Sequence, residues 1–160
     1  MNRKTIITLL ILTIAGCNRK DKAVEAVLKL PSINILLSDS ERVINTNNLA
    51  PGRSTILMYF STDCEHCHDQ TKAILNKISD FKDARLFFIT PMSIDDLRKF
   101  NQFFAIKNYK NITTGKDQDY IFSNLYKTAD FPSIAIYNKE NKLVKIFKGE
   151  IDITQIIIYI

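Results

Sequence analysis

The sequence predicts an α/β protein with one mixed sheet flanked by helices, and three observations carry that expectation. Residues 54–61 (STILMYFS) are β-branched, aromatic and free of charge, the pattern of a strand buried on both faces. A second run of the same kind, residues 85–90 (RLFFIT), follows after a stretch of helical spacing, and strands alternating with helical patterns build a layered α/β sheet. Near the C-terminus two short apolar runs flank Asn138-Lys139-Glu140-Asn141. That reads as a hairpin, so part of the sheet is antiparallel.

In chain order, residues 33–37 form a short apolar run and a candidate strand. Residues 45–52 (NTNNLAPG) carry Asn, Pro and Gly and read as a loop. The strand at 54–61 runs directly into Thr62-Asp63-Cys64-Glu65-His66-Cys67-His68, and Ala73, Ile74, Ile78 and Phe81 then recur at helical spacing. After the strand at 85–90, residues 93–106 read as a helix. Ser93 is its N-cap, Asp95 and Asp96 lie in the first turn, and Leu97, Phe100, Phe103 and Phe104 share one side. Residues 111–114 read as a short strand and 119–126 as a short helix. Phe131-Pro132-Ser133 opens a strand at 134–137, and 143–147 is its hairpin partner. Asp152 caps a last helix over 153–160.

The chain has 160 residues, 46% hydrophobic and 24% charged, which is enough for one packed domain and a short extra segment. Only 4 glycines are present, and neither G-x-G-x-x-G nor G-x-x-x-x-G-K occurs. Collagen-like architecture and a Gly-rich phosphate cradle are therefore excluded. The formal charge is +5. Without Arg3 and Lys4 of the N-terminal segment it is +3, and the remaining lysines are scattered. They read as solvated faces, so no nucleic-acid partner is expected.

Residues 1–17 (MNRKTIITLLILTIAGC) join a basic start to an apolar stretch from Ile6 to Ile14. That stretch is shorter than the roughly 20 residues that span a bilayer, so it reads as a secretory signal. Its end, Ile14-Ala15-Gly16-Cys17, resembles the lipobox of bacterial lipoproteins, with Ile14 where Leu is usual. The resemblance implies a signal peptide over 1–16, lipid on Cys17, and a protein held on a membrane of the bacterial cell envelope, facing the periplasm. Residues 17–30 then read as lipidated cysteine and polar tether, and 31–160 as the folded domain. With Cys17 lipidated, Cys64 and Cys67 are the remaining cysteine pair.

Cys64-Glu65-His66-Cys67 begins where the buried strand ends and a helix starts. Two cysteines at this spacing close a small disulfide ring, and beside a strand–helix–strand pattern they suggest a redox motif. Unpaired N–H groups at a helix start favour a thiolate, so Cys64 is expected to attack and Cys67, a turn deeper, to resolve. A protonated His66 would stabilise the Cys64 thiolate, and Glu65 would oppose it.

Residues 31–160 resemble the thioredoxin-like superfamily, above all the lipoprotein-anchored or periplasmic thiol-disulfide proteins similar to the TlpA and redoxin groups. The resemblance rests on Tyr59-Phe60-Ser61-Thr62-Asp63-Cys64-Glu65-His66-Cys67 and on Phe131-Pro132-Ser133 downstream. It implies a cis proline at Pro132 that faces the dithiol, and a client strand pairing beside Phe131 and Pro132. It also implies protein thiol or disulfide clients, an envelope redox partner and no resident cofactor. Three departures stand out: Asp63 replaces the usual aromatic, Met58 replaces the buried acid, and Glu65-His66 replaces Gly-Pro.

Four other readings use the same residues. Cys64-Glu65-His66-Cys67-His68 fits the haem c attachment pattern C-x-x-C-H, but its flanks read as buried strands. Cys64, His66, Cys67 and His68 are donors suited to copper or zinc, but no second Cys/His cluster exists. A peroxiredoxin would carry Thr where Ser61 stands, after a proline that the preceding strand lacks. The remaining alternative is a binding module with a merely structural disulfide. His68 reads as a surface helix residue, and a monomer is the default state.

Overall fold

The computed structural model describes residues 28–160. The expected signal segment, the lipid expected on Cys17 and the expected tether up to residue 27 fall outside the described residues. Seven strands form one sheet: β1 (Asn34–Leu37), β2 (Val43–Asn45), β3 (Thr55–Tyr59), β4 (Arg85–Thr90), β5 (Ile112–Asp117), β6 (Ser133–Tyr137) and β7 (Leu143–Lys148). Their spatial order is β2-β1-β5-β4-β3-β6-β7. The central trio β5, β4 and β3 is parallel, while β1 on β5, β2 on β1, β6 on β3 and β7 on β6 are antiparallel. The mixed sheet is therefore present as expected.

The charge-free run of β3 has a simple physical outcome: all five residues are buried. Successive side chains alternate between faces. Ile56 and Met58 join Leu86, Phe88, Ile134 and Ile136 in one core layer, while Leu57 and Tyr59 join Phe87, Ile89, Ala135 and Tyr137 in the other. Three helices cover the first layer. They are α1 (Glu65–Asn76) with Cys67 and Ile74, α2 (Ile94–Phe103) with Leu97 and Phe100, and α4 (Ile153–Ile157) with Ile156. The second layer, to which Ile35 of β1 also belongs, is covered by α3 (Ile121–Tyr126) through Phe122 and Tyr126, together with Leu30 and Ile33 from the segment before β1.

The caps follow the sequence. Ser93 Oγ accepts the Asp96 N–H at 3.1 Å, and Asp152 Oδ1 accepts the Thr154 N–H at 2.8 Å. The start of α3 is held differently. The fully buried Asp117, at the end of β5, accepts the N–H groups of Ile121 at 3.1 Å and Phe122 at 2.9 Å.

Several boundaries differ from the sequence expectation. Residues 45–52 are not all loop, because Asn45 closes β2 and Thr46–Asn48 form a 3₁₀ turn. β2 is a three-residue edge strand, half exposed, so it carries little hydrophobic pattern. β5 runs to Asp117 rather than 114, since sheet pairing on both sides overrides its polar, Gly-containing sequence. α2 stops at Phe103, and Ala105 takes a left-handed φ of 48°. α4 ends at Ile157. Leu30 is buried, and its N–H donates to Asn141 O at 2.9 Å.

Candidate active site

β3 delivers the chain to the site and α1 receives it. Beyond Tyr59, the Phe60 N–H donates to Ile89 O at 3.0 Å, which ties the strand exit to β4. Cys64 then turns out of the strand as the N-cap of α1, with extended φ and ψ of −82° and 120°. A sulfur thus occupies the place where an oxygen side chain usually caps a helix. Its Sγ accepts the Cys67 N–H at 3.3 Å, and its own S–H is directed at Phe131 O, 3.8 Å away and 67 residues along the chain. Cys64 is half-buried and Cys67 is completely buried, and both are free thiols.

That difference in burial separates the two sulfurs chemically. Removal from water pushes the Cys67 thiol far above its ordinary value, and its hydrogen bond with Cys64 adds to the effect. Met58 is wholly buried in the same core layer as Cys67, so the position where an acid was expected supplies none. Thr71 Oγ1 donates to Cys67 O at 2.7 Å and fixes the first turn of α1.

The Phe131–Pro132 peptide is cis, and it stands beside the dithiol because Phe131 O meets Cys64. Phe131 is half-buried and its ring lies 5.3 Å from that of Tyr59. Beyond the proline, β6 continues antiparallel to β3, with Ser133 opposite Tyr59. Cys64, Cys67, Phe131 and Pro132 are therefore brought together in one place. Glu65 and His66 project from the exposed first turn of α1. Cys17 lies outside the described residues.

The two histidines diverge. His66 Nδ1 pairs with Glu150 Oε2 at 2.9 Å, and this contact raises the imidazole's pKa. His68 Nε2 meets Thr62 O at 2.8 Å, while its ring packs against Phe100, Phe103 and Phe104. The expectation of His68 as a plain surface residue is thus corrected: it is half-buried and braces the Thr62-Asp63 turn against α2. Asp63 accepts the Ser61 hydroxyl, and that bond holds its carboxyl below the usual carboxylate range. Among the described residues, no three His, Cys, Asp or Glu side chains converge to hold a metal ion.

Two hollows flank the dithiol. One of about 470 Å³ is lined by Thr62, Asp63, His68, Met92 and Phe103, the last 71% exposed. The other, of about 690 Å³, is lined by His66, Phe131, Glu150 and Ile151. A roomier groove of about 740 Å³ lies between β1 and the end of α2, by Ile44 and Tyr109, and has no thiol in its lining. Sequence reasoning missed Glu150. It is one acid among many, and nothing local marks it as a partner of a residue 84 positions earlier.

No family model matches the chain, and no curated protein does. Solved structures do. A secreted Mycobacterium tuberculosis disulfide oxidoreductase, homologous to E. coli DsbE, superposes with a TM-score of 0.60 at 14% identity, covering 78% of this chain and 85% of its own. StoA from Bacillus subtilis gives 0.61 at 12% identity, with coverage of 81% and 96%. A peroxiredoxin-like protein from Aquifex aeolicus gives 0.65 at 15% identity, with coverage of 81% of each chain. These likenesses cover most of the chain and accord with its mixed sheet flanked by helices: the fold of this chain is thioredoxin-like.

Proposed function

We propose that the chain is a thiol-disulfide oxidoreductase of the bacterial cell envelope, held to a membrane by lipid on Cys17, with Cys64 and Cys67 as its redox couple. The observation that carries this reading is the asymmetry of the pair. Cys64 is reachable and caps α1, while Cys67 is sealed in the core with a strongly raised pKa and donates its N–H to the Cys64 sulfur.

In the reducing direction, the Cys64 thiolate attacks one sulfur of a client disulfide. The client S–S bond breaks, its other sulfur leaves as a thiolate, and a mixed disulfide joins Cys64 to the client. Cys67 must then lose its proton, and the thiolate released in the first step is a base that can take it. Cys67 attacks the Cys64 sulfur, the Cys64–Cys67 disulfide forms as the Cys64–client bond breaks, and the second client sulfur leaves as a thiolate that takes from solvent the proton Cys64 gave up to it. Two electrons and two protons pass from the dithiol to the client. The oxidising direction is the same path reversed, with a client thiolate attacking Cys64 and Cys67 leaving. An extended client segment would lie along Phe131 and Pro132. Glu65 and His66 would tune the couple, and a second envelope redox protein would reset it.

The test is covalent trapping. Cys67→Ser should accumulate mixed disulfides with envelope proteins, because attack survives and resolution does not. Cys64→Ser should accumulate few or none. Trapping by Cys64→Ser alone would reverse the roles, and trapping by neither would remove the oxidoreductase reading.

A further inference from the structure

Glu150 stands on the segment between β7 and α4, 84 residues beyond His66, yet its carboxylate meets His66 at 2.9 Å. Exposed ion pairs usually contribute little, because two mobile side chains must be ordered to make them. Here the side chains are 71% and 41% accessible, so the pair is of the exposed kind. The backbone carrying Glu150, however, is fastened on both sides. The Gly149 N–H donates to Pro132 O at 2.8 Å, and the Ile151 N–H donates to Gln70 Oε1 at 2.9 Å. Gln70 is completely buried on α1, one turn beyond His66 on the same side of the helix. The carboxylate is therefore delivered to His66 by a segment already pinned to both halves of the site, the cis-proline loop and the motif helix.

We propose that Glu150 is a positioning residue of the dithiol centre, holding the His66 imidazolium at the first turn of α1 and thereby setting the charge that Cys64 experiences. This rests on the oxidoreductase reading of Cys64 and Cys67. A cation at a helix N-terminus is disfavoured by the helix dipole, so His66 needs a counter-charge to stay protonated there. Glu150 is the strongest influence in that direction, first through its hydrogen bond and then through its charge, with Glu65 and Asp69 on α1 adding smaller contributions. The charged groups around His66 are thus Glu65 and Asp69 from its own helix and Glu150 from the β7–α4 segment, where Asp152 lines the same hollow. Asp63 lies on the other side of Cys64 in the turn before the helix.

The experiment follows Cys64 alkylation rate against pH in the full chain, with mass spectrometry reporting Cys64 apart from the other cysteines. The His66 ring is titrated by NMR in parallel. The native protein should show a step in the Cys64 profile at the pH where His66 loses its proton. Glu150→Gln should move the His66 midpoint and that step to lower pH together, and should change the rate between the two midpoints by about threefold, the scale of one ordered exposed pair. Glu150→Asp should restore part of the shift. His66→Ala should abolish the step, and Glu150→Gln should then have no further effect on it. An unmoved His66 midpoint in Glu150→Gln overturns the proposal. So does a moved midpoint with an unmoved Cys64 step, since the pair would then be only a fastening. If Cys64 of the native protein does not react at any pH, it is the oxidoreductase reading that fails, and this outcome is distinct from both of the others.

Discussion

The backbone N–H of Cys67 donates to the sulfur of Cys64 at 3.3 Å, while the Cys67 thiol itself has no exposed surface. The two cysteines sit in one turn of helix and have different access to reagents. In the native protein a small alkylating agent should label Cys64 at least about tenfold faster than Cys67, because burial keeps Cys67 out of reach and in its thiol form. Unfolding should bring the two rates together. Peptide mass spectrometry after timed labelling decides it, and faster labelling of Cys67 would contradict the assignment.

The raised pKa of Cys67 also has a thermodynamic sign. Its folded value lies above the unfolded value, so its contribution to stability is complete below the usual thiol value of 9.0 and is lost as pH rises beyond that toward the folded value. The reduced protein should therefore lose melting temperature above that pH. The disulfide form, which has no thiol to ionise, should not lose it for this reason. Melting curves of both forms from pH 7 to about 11 test this, and parallel curves would count against it.

His66 gives a second pH window. Glu150 raises its folded pKa above the ordinary 6.5. A raised histidine contributes stability that is fully present below the unfolded value and fades as pH rises through the folded one. The melting temperature of the native protein should exceed that of Glu150→Gln near pH 6 by a small margin, and the two should converge at alkaline pH. A difference that grows with pH would reverse the assignment of charge.

Gly115 of β5 passes Ile35 of β1 with no room for a side chain. A Cβ there would lie 2.2 Å from Ile35 Cγ2 and 2.8 Å from Leu36 O. Ile35 is fully buried and backbone cannot retreat, so the clash is not cheaply relieved. Gly115→Ala should cost about 3 kcal/mol through overpacking, a fall of roughly 10 °C in Tm for a domain of this size. A melting temperature within a degree or two of the native one would show that β1 yields more readily than its packing suggests.

The lipid anchor is tested apart from the fold. If Cys17 carries lipid, the native chain should sediment with membranes, and Cys17→Ala should release it or leave the signal uncleaved. Membrane association unchanged by Cys17→Ala would remove the anchor from the proposal without touching the dithiol.

The strands at the centre of the fold could be read directly from the residues. β3 and β4 are charge-free or nearly so because both their faces are covered, and that requirement acts on each residue separately, leaving a local trace. The helix caps at Ser93 and Asp152 are local for the same reason, since a side chain there bonds an N–H two or three residues on. The position of Cys64 at a strand-to-helix turn was likewise readable from the pattern change around it.

What depended on distant parts of the chain was not readable. β2 and the polar end of β5 are strands because neighbouring strands pair with them, and hydrogen bonding to a neighbour imposes no hydrophobic period on an edge. His68 became a brace because α2 brings Phe100, Phe103 and Phe104 against it. Local pattern is enough to place Cys64 and Cys67 at a strand-to-helix turn, to predict the mixed sheet and to give the order of the elements, since these follow from propensity, burial and spacing. It takes packing to set Phe131 against Cys64, to seal Cys67 from water and to close Glu150 on His66. Each of those contacts joins residues or layers that the chain carries far apart, and no residue's identity states which distant partner packing will bring to it.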